Sequence, residues 1–209
     1  TIVVPKLQIT GSKSIQIYSK TITSLKCLTT IDENNESELK GSLKLDLNNV
    51  PLLTSLYCSG TNISSLDLSK LPKLTTLDCS ETKLTSLDLT NVPMLSSLKC
   101  FGVNKTLVSD LEYNLIYTPI TSLDLSKVPL LTYLDCSITK ITSLDLSNVP
   151  LLTYLNCGGN QITSLDLSNV PLLTQLFCSQ NQITSLDLSN VPELTSLWCL
   201  ESQITSLDL

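Results

Sequence analysis

The chain contains no arginine and no histidine. Phosphate-neutralising surfaces are built from arginine and lysine, and the net charge is −6, so nucleic acid is not an expected partner. Missing histidine removes the commonest general base and metal ligand near neutral pH. No Ser/His/Asp set, phosphate loop or paired acid in a pocket is present, and a catalytic cysteine would have no histidine to activate it. An enzyme is therefore not expected, nor any cofactor or metal. No run approaches the roughly 20 apolar residues of a membrane span, which argues against membrane insertion. A signal peptide is also missing, and a chain starting at Thr1 reads as a mature or trimmed product. Helical periodicity of 3.6 residues is absent, which removes amphipathic helices from consideration.

What is present is a beat. Cysteines stand at Cys27, Cys58, Cys79, Cys100, Cys136, Cys157, Cys178 and Cys199, and five of the seven gaps are 21 residues. A second series keeps the same time: Asp46, Asp67, Asp88, Asp124, Asp145, Asp166, Asp187 and Asp208, each inside Leu-Asp-Leu. A 21-residue period marks a solenoid, in which each repeat buries its apolar side only against its neighbours. The hydrophobic share of 42% suffices for such a core. Residues 152 to 172, LTYLNCGGNQITSLDLSNVPL, show two nested halves. The first carries Leu152, Leu155, Cys157 and Asn160; the second carries Ile162, Leu165, Leu167 and Val170. Alternation with period two inside each half predicts a strand with one buried face. Val149-Pro150 and Val170-Pro171 close the second half, since proline belongs at a strand end or corner. Stacked cysteines have parallel Cβ vectors, which a disulfide dihedral near ±90° disfavours. The eight are expected to form a ladder of buried free thiols packing as small hydrophobes.

The pattern L-x-x-L-x-C-x-x-N-x-I resembles the bacterial 21-residue leucine-rich repeats with a cysteine ladder, the internalin J-like type. The resemblance covers roughly residues 21 to 209. It implies a parallel strand on a concave side and extracellular display on a bacterial surface or by secretion. Two departures stand out. The asparagine position is threonine at Thr61, Thr82 and Thr139, and asparagine only at Asn160 and Asn181. Residues 1 to 20 read as β-structure, an N-terminal β cap or flanking segment, instead of the helical cap common in internalins. Strands on both faces would sit about 4.8 Å apart on each side, so a weakly curved β-rich solenoid of about eight turns, roughly 38 Å long, is expected.

The period breaks twice. Cys27 to Asp46 is 19 residues and Cys100 to Asp124 is 24, where 9 is the norm. Insertions near 28–38 and 101–118 therefore leave the same edge of the solenoid, and insertions on one edge often mark a working side. The second carries Tyr113 and Tyr117. The end at Leu209 falls inside a Leu-Asp-Leu triplet with no polar cap, which predicts a C-terminally incomplete solenoid.

Outward positions beside the cysteines hold six of the nine aromatics: Tyr57, Phe101, Tyr133, Tyr154, Phe177 and Trp198. Core packing does not ask for aromatics there. An exposed aromatic cluster marks a binding surface for protein or glycan, although aromatics also steady cross-strand neighbours. The aspartate series is expected to be a structural column and not a calcium site, because it lacks the Gly-rich turns of calcium-binding solenoids. Two functions remain: a monomeric binding module working through its concave face, for example in adhesion to a host, or a structural spacer that displays other domains.

Overall fold

The computed structural model describes residues 2–4, 14–16, 21–27, 44–106, 113–116 and 118–208. The first insertion, Tyr117 and Leu209 lie outside the described residues. The strands in chain order are β1 (Ile2–Val4), β2 (Ser14–Gln16), β3 (Ser24–Cys27), β4 (Lys44–Asp46) and β5 (Ser55–Tyr57). Next come β6 (Thr76–Asp78), β7 (Ser97–Lys99), β8 (Val103–Thr106), β9 (Tyr113–Ile116) and β10 (Tyr133–Asp135). The last are β11 (Tyr154–Asn156), β12 (Gln175–Phe177), β13 (Ser185–Asp187), β14 (Ser196–Trp198) and β15 (Ser206–Asp208). Nine of them make one parallel sheet in the order β1-β3-β5-β6-β7-β10-β11-β12-β14. No helix occurs among the described residues. The molecule is a parallel β-solenoid of stacked 21-residue turns.

Register follows from the leucine two residues before each cysteine. Leu134, Leu155 and Leu176 are paired across β10, β11 and β12, each fully buried. All eight pattern positions of the turn 152–172 are buried: Leu152, Leu155, Cys157, Asn160, Ile162, Leu165, Leu167 and Val170. Burying a leucine side chain contributes about 1.5–3 kcal/mol, so one turn's set outweighs any single surface contact.

The corner between turns is a double reverse turn. Val149 N–H donates to Leu146 O at 3.2 Å, and Leu152 N–H to Val149 O at 3.1 Å. The second turn places Pro150 directly after Val149, where its fixed φ suits the first central position. Asp145 caps the first, its Oδ1 accepting from Ser147 N–H at 2.9 Å. The same bond recurs at Asp67, Asp88, Asp124, Asp166 and Asp187. These carboxylates therefore terminate the Leu-Asp-Leu segment and hold the following turn. The hydrogen bonds keep them below the usual carboxylate range.

Among the described residues, Leu-Asp-Leu segments enter strand pairs only towards the ends, where β4 pairs with β2 (Ser-Ile-Gln) and β13 with β15. Between them, successive turns are joined on that side by bonds such as Gln161 N–H to Ile141 O, 3.1 Å. A continuous ladder runs along one side of the coil and sparser bonds along the other, and the nine-stranded sheet is the face expected to be concave. The second insertion is an antiparallel hairpin, β8 against β9, with Val103 opposite Ile116 and Thr106 opposite Tyr113.

Candidate functional site

Outward side chains of the concave sheet divide it in two. Along β5, β6, β7 and β10 the column before the cysteines runs Tyr57, Asp78, Lys99, Asp135 in register. Along β10 to β14 the face is aromatic. Tyr133 and Tyr154 are register partners, and their rings stack with centroids 4.3 Å apart at 4°. Phe177 and Trp198 pair one column over. Tyr154 meets Phe177 at 5.5 Å and 37°, and Phe177 meets Trp198 at 6.0 Å and 33°. Four of the six aromatics singled out by sequence thus form one continuous diagonal of rings. Tyr57 stands apart, with β6 and β7 between its strand and β10. Phe101 follows the end of β7 and is half-buried. Tyr113 lies on β9 of the hairpin.

The ladder is closed at one end and open at the other. Lys99 Nζ sits 5.4 Å from the Tyr133 ring centroid, a cation over the ring face. Burial raises the pKa of both the Tyr133 and the Tyr154 hydroxyl. Trp198 is 55% exposed, the most open of the four.

Beside the stack, Asp135 is only 8% exposed. Its Oδ1 accepts from Ser137 N–H at 3.1 Å and Ser137 Oγ–H at 2.7 Å, and its Oδ2 from Asn156 Nδ2–H at 3.4 Å. Burial nonetheless pushes its pKa above the usual carboxylate value, against those bonds and Lys99. The folded state therefore holds the proton more tightly than the unfolded state. Stability contributed by protonated Asp135 is lost as pH rises through the raised pKa, and the ionised group is a standing cost above it. Asn156, one turn on, accepts from Gly158 N–H in the same way without a charge. Asp135→Asn is expected to raise the melting temperature at pH 7, with the gain vanishing below about pH 4. Melting curves at the two pH values check this, and an equal gain at both would contradict it.

The cysteines lie beneath this face. All eight are free; the six from Cys58 to Cys178 are fully buried, and Cys27 and Cys199 are half-buried. Burial pushes Cys27 up to about 11 and Cys79 and Cys178 to about 12, and raises Cys58, Cys100, Cys136 and Cys157 too. These seven are held as thiols at neutral pH. No group of three or more His, Cys, Asp or Glu suited to a metal occurs among the described residues.

Two devices position the face, and sequence reasoning missed both. One is a hydroxyl column four residues before each cysteine: Thr54 Oγ1–H donates to Thr23 O at 2.9 Å, Thr132 to Ser96 O at 3.0 Å, and Thr174 to Thr153 O at 2.9 Å. Its signal was a Thr or Ser at a constant offset. The other is a left-handed corner two residues after the cysteine: Gly60, Glu81, Ile138, Gly159, Gln180 and Glu201 have φ of 67, 55, 50, 67, 56 and 53°. Left-handed backbone costs a non-glycine residue roughly 1–2 kcal/mol, and a β-branched one is the worst suited. Ile138→Gly is expected to stabilise the fold by about 0.5–1 kcal/mol, the strain relief less the entropy glycine loses. Urea denaturation reads this out, and a loss of stability would contradict it.

The hairpin interrupts the pattern without breaking it. Thr118 stands where the asparagine position falls once the insertion is removed, and its Oγ1–H donates to Phe101 O at 2.7 Å.

Comparison with known proteins agrees with this geometry. The family model described as Leucine Rich repeats (2 copies) matches residues 51–99. No curated protein matches the chain in sequence. The functional domain of InlJ from Listeria monocytogenes, whose structure includes a cysteine ladder, is 30% identical with a TM-score of 0.58. That match covers 90% of this chain and 48% of InlJ, so the chain spans about half the length of that domain. Two further Listeria monocytogenes internalins share the fold. InlF is 21% identical at a TM-score of 0.64, covering 91% of this chain and 62% of its own. InlC2 is 21% identical at 0.65, covering 92% and 73%. The chain is an internalin-like leucine-rich-repeat solenoid with a cysteine ladder.

Proposed function

We propose that this chain is a binding module that captures a protein partner on the aromatic half of its concave face. It works outside the cell, on a bacterial surface or after secretion, in contacts such as adhesion to a host. One observation carries the reading: the continuous ring diagonal from Tyr133 to Trp198, placed on outward positions where other turns hold serine, lysine or aspartate. Ring geometry favours protein over glycan. Sugars stack on open aromatic faces, but Tyr133 and Tyr154 occupy each other's faces at 4.3 Å and Lys99 lies over Tyr133. Edges, hydroxyls and the exposed Trp198 are what remain, and such rims suit the side chains of a protein surface. The likeness to InlJ supports the extracellular setting.

The test is to present the protein and a Trp198→Ala variant to arrays of purified extracellular matrix and epithelial surface proteins, alongside a glycan array. The reading expects a protein hit that the variant loses. Hits that the variant keeps, or glycan hits alone, would overturn it. Capture of nothing on either array would favour the spacer, which the regularity of the turns also fits.

A further inference from the structure

At the left-handed corners one place departs from its neighbours. Ile138 is the only β-branched residue among the six corner positions, and the next turn supplies the chain's sole Gly-Gly pair, Gly158-Gly159. The two are complementary: a side chain at 159 would meet Ile138 Cγ1 at 3.1 Å. Ile138 leans towards the space the glycine leaves open. Beside it the edge opens into a cavity of about 350 Å³ with Ile138 as its apolar wall and Gly159 in its floor.

Polar groups in the floor are already spent. Asn160 Nδ2 donates to Cys136 O and Cys157 O, both at 3.0 Å, and Asn160 Oδ1 accepts from Thr139 Oγ1–H at 2.7 Å. Free capacity lies at the rim, in Gln161, Gln180 and Glu201. Gln180 Nε2 donates to Glu201 Oε2 at 2.8 Å, which holds the carboxylate in place across adjacent turns. Glu201 is the only charged residue of the lining, and it is negative.

We infer that this notch receives a lysine or arginine side chain from an extended segment of another polypeptide. An apolar wall ending in a carboxylate matches a side chain with a greasy stem and a cationic head. The volume is at the small end of the roughly 300–1,000 Å³ of ligand pockets, enough for one side chain and its backbone. Anions find no counter-charge there. A strained residue retained where neighbouring turns use glycine or a flexible polar side chain is the kind of local cost that accompanies a working site. This site uses none of the four rings, so it stands or falls independently of the concave face.

The experiment titrates the ¹⁵N-labelled protein with acetyl-Gly-Lys-Gly-amide and with its Gly-Glu-Gly counterpart, following the backbone amides of Gly158 and Gly159. Saturable shifts are expected with the lysine peptide only, at a Kd on the order of 1 mM. Gly60, at the same corner position of an earlier turn, should stay still. Glu201→Gln should weaken binding about tenfold, the change expected from loss of a charge-assisted contact. Gln180→Ala should weaken it to a lesser degree, with the melting temperature of both variants unchanged. No saturable shift, an equal response to the glutamate peptide, an equal shift at Gly60, or unaltered binding by Glu201→Gln would each overturn the assignment.

Discussion

Asn160→Ala is expected to cost about 3 kcal/mol of folding stability. Asn160 bridges two turns from inside the wall. Its Nδ2 donates to Cys136 O on one turn and Cys157 O on its own, and its Oδ1 accepts from Thr139 Oγ1–H and from Ile141 N–H at 3.3 Å. The carbonyls have other donors, since Asn181 Nδ2–H reaches Cys157 O at 3.0 Å and Thr139 Oγ1 lies 3.0 Å from Cys136 O. Ile141 N–H has no such reserve. A buried group left unsatisfied costs about 1–3 kcal/mol, and the lost bridging bonds add to it. Thr82 sets the comparison. Its hydroxyl makes one bond within its own turn, to Cys79 O at 2.7 Å, so Thr82→Val should cost about 1 kcal/mol. Urea denaturation with an unchanged m-value measures both. Equal losses at the two sites would mean that the asparagine bridge adds nothing to turn stacking.

Trp198→Ala is expected to weaken binding of the protein partner by about 2 kcal/mol or more, roughly 25-fold in Kd. Aromatic anchors dominate interfaces because they bury large, rigid area at small entropic cost. Among the described residues Trp198 has one ring neighbour, Phe177, so its removal forfeits a single aromatic contact of about 0.5–1.5 kcal/mol. Phe177 sits between Tyr154 and Trp198 and loses two. Removing Phe177 should therefore lower the melting temperature more than removing Trp198, although both should lower affinity. From the sequence these rings could be taken as indifferent to folding. Their mutual contacts show that only the terminal one separates binding from stability cleanly. Titration calorimetry beside thermal melting resolves the two effects.

The repeat could be read almost to the residue, because burial in a solenoid is strictly periodic. Leu155, Cys157, Ile162 and Val170 occupy the core for the reason their spacing implies. The aromatic diagonal was equally visible, since outwardness follows from position relative to the cysteine. What escaped has other causes. The left-handed corner is a backbone property, and Gly60, Glu81, Ile138 and Gln180 share no side-chain feature that announces it. Leu-Asp-Leu alternates as a strand should, so Asp166 reads as mid-strand. Its short side chain instead turns to Ser168 N–H and ends the segment. Thr118 was hidden by fifteen intervening residues that displaced it from its repeat position.

Trp198 is the chain's single tryptophan and 55% exposed, so intrinsic fluorescence reports on the proposed contact alone. The decisive measurement is its emission and acrylamide quenching as a tryptophan-free fragment of the captured partner is added. Binding on the aromatic half of the concave face predicts a blue-shifted emission and a several-fold loss of quenching that saturate with the affinity found by calorimetry. Emission and quenching that stay unchanged while calorimetry records binding would place the partner elsewhere and contradict the account.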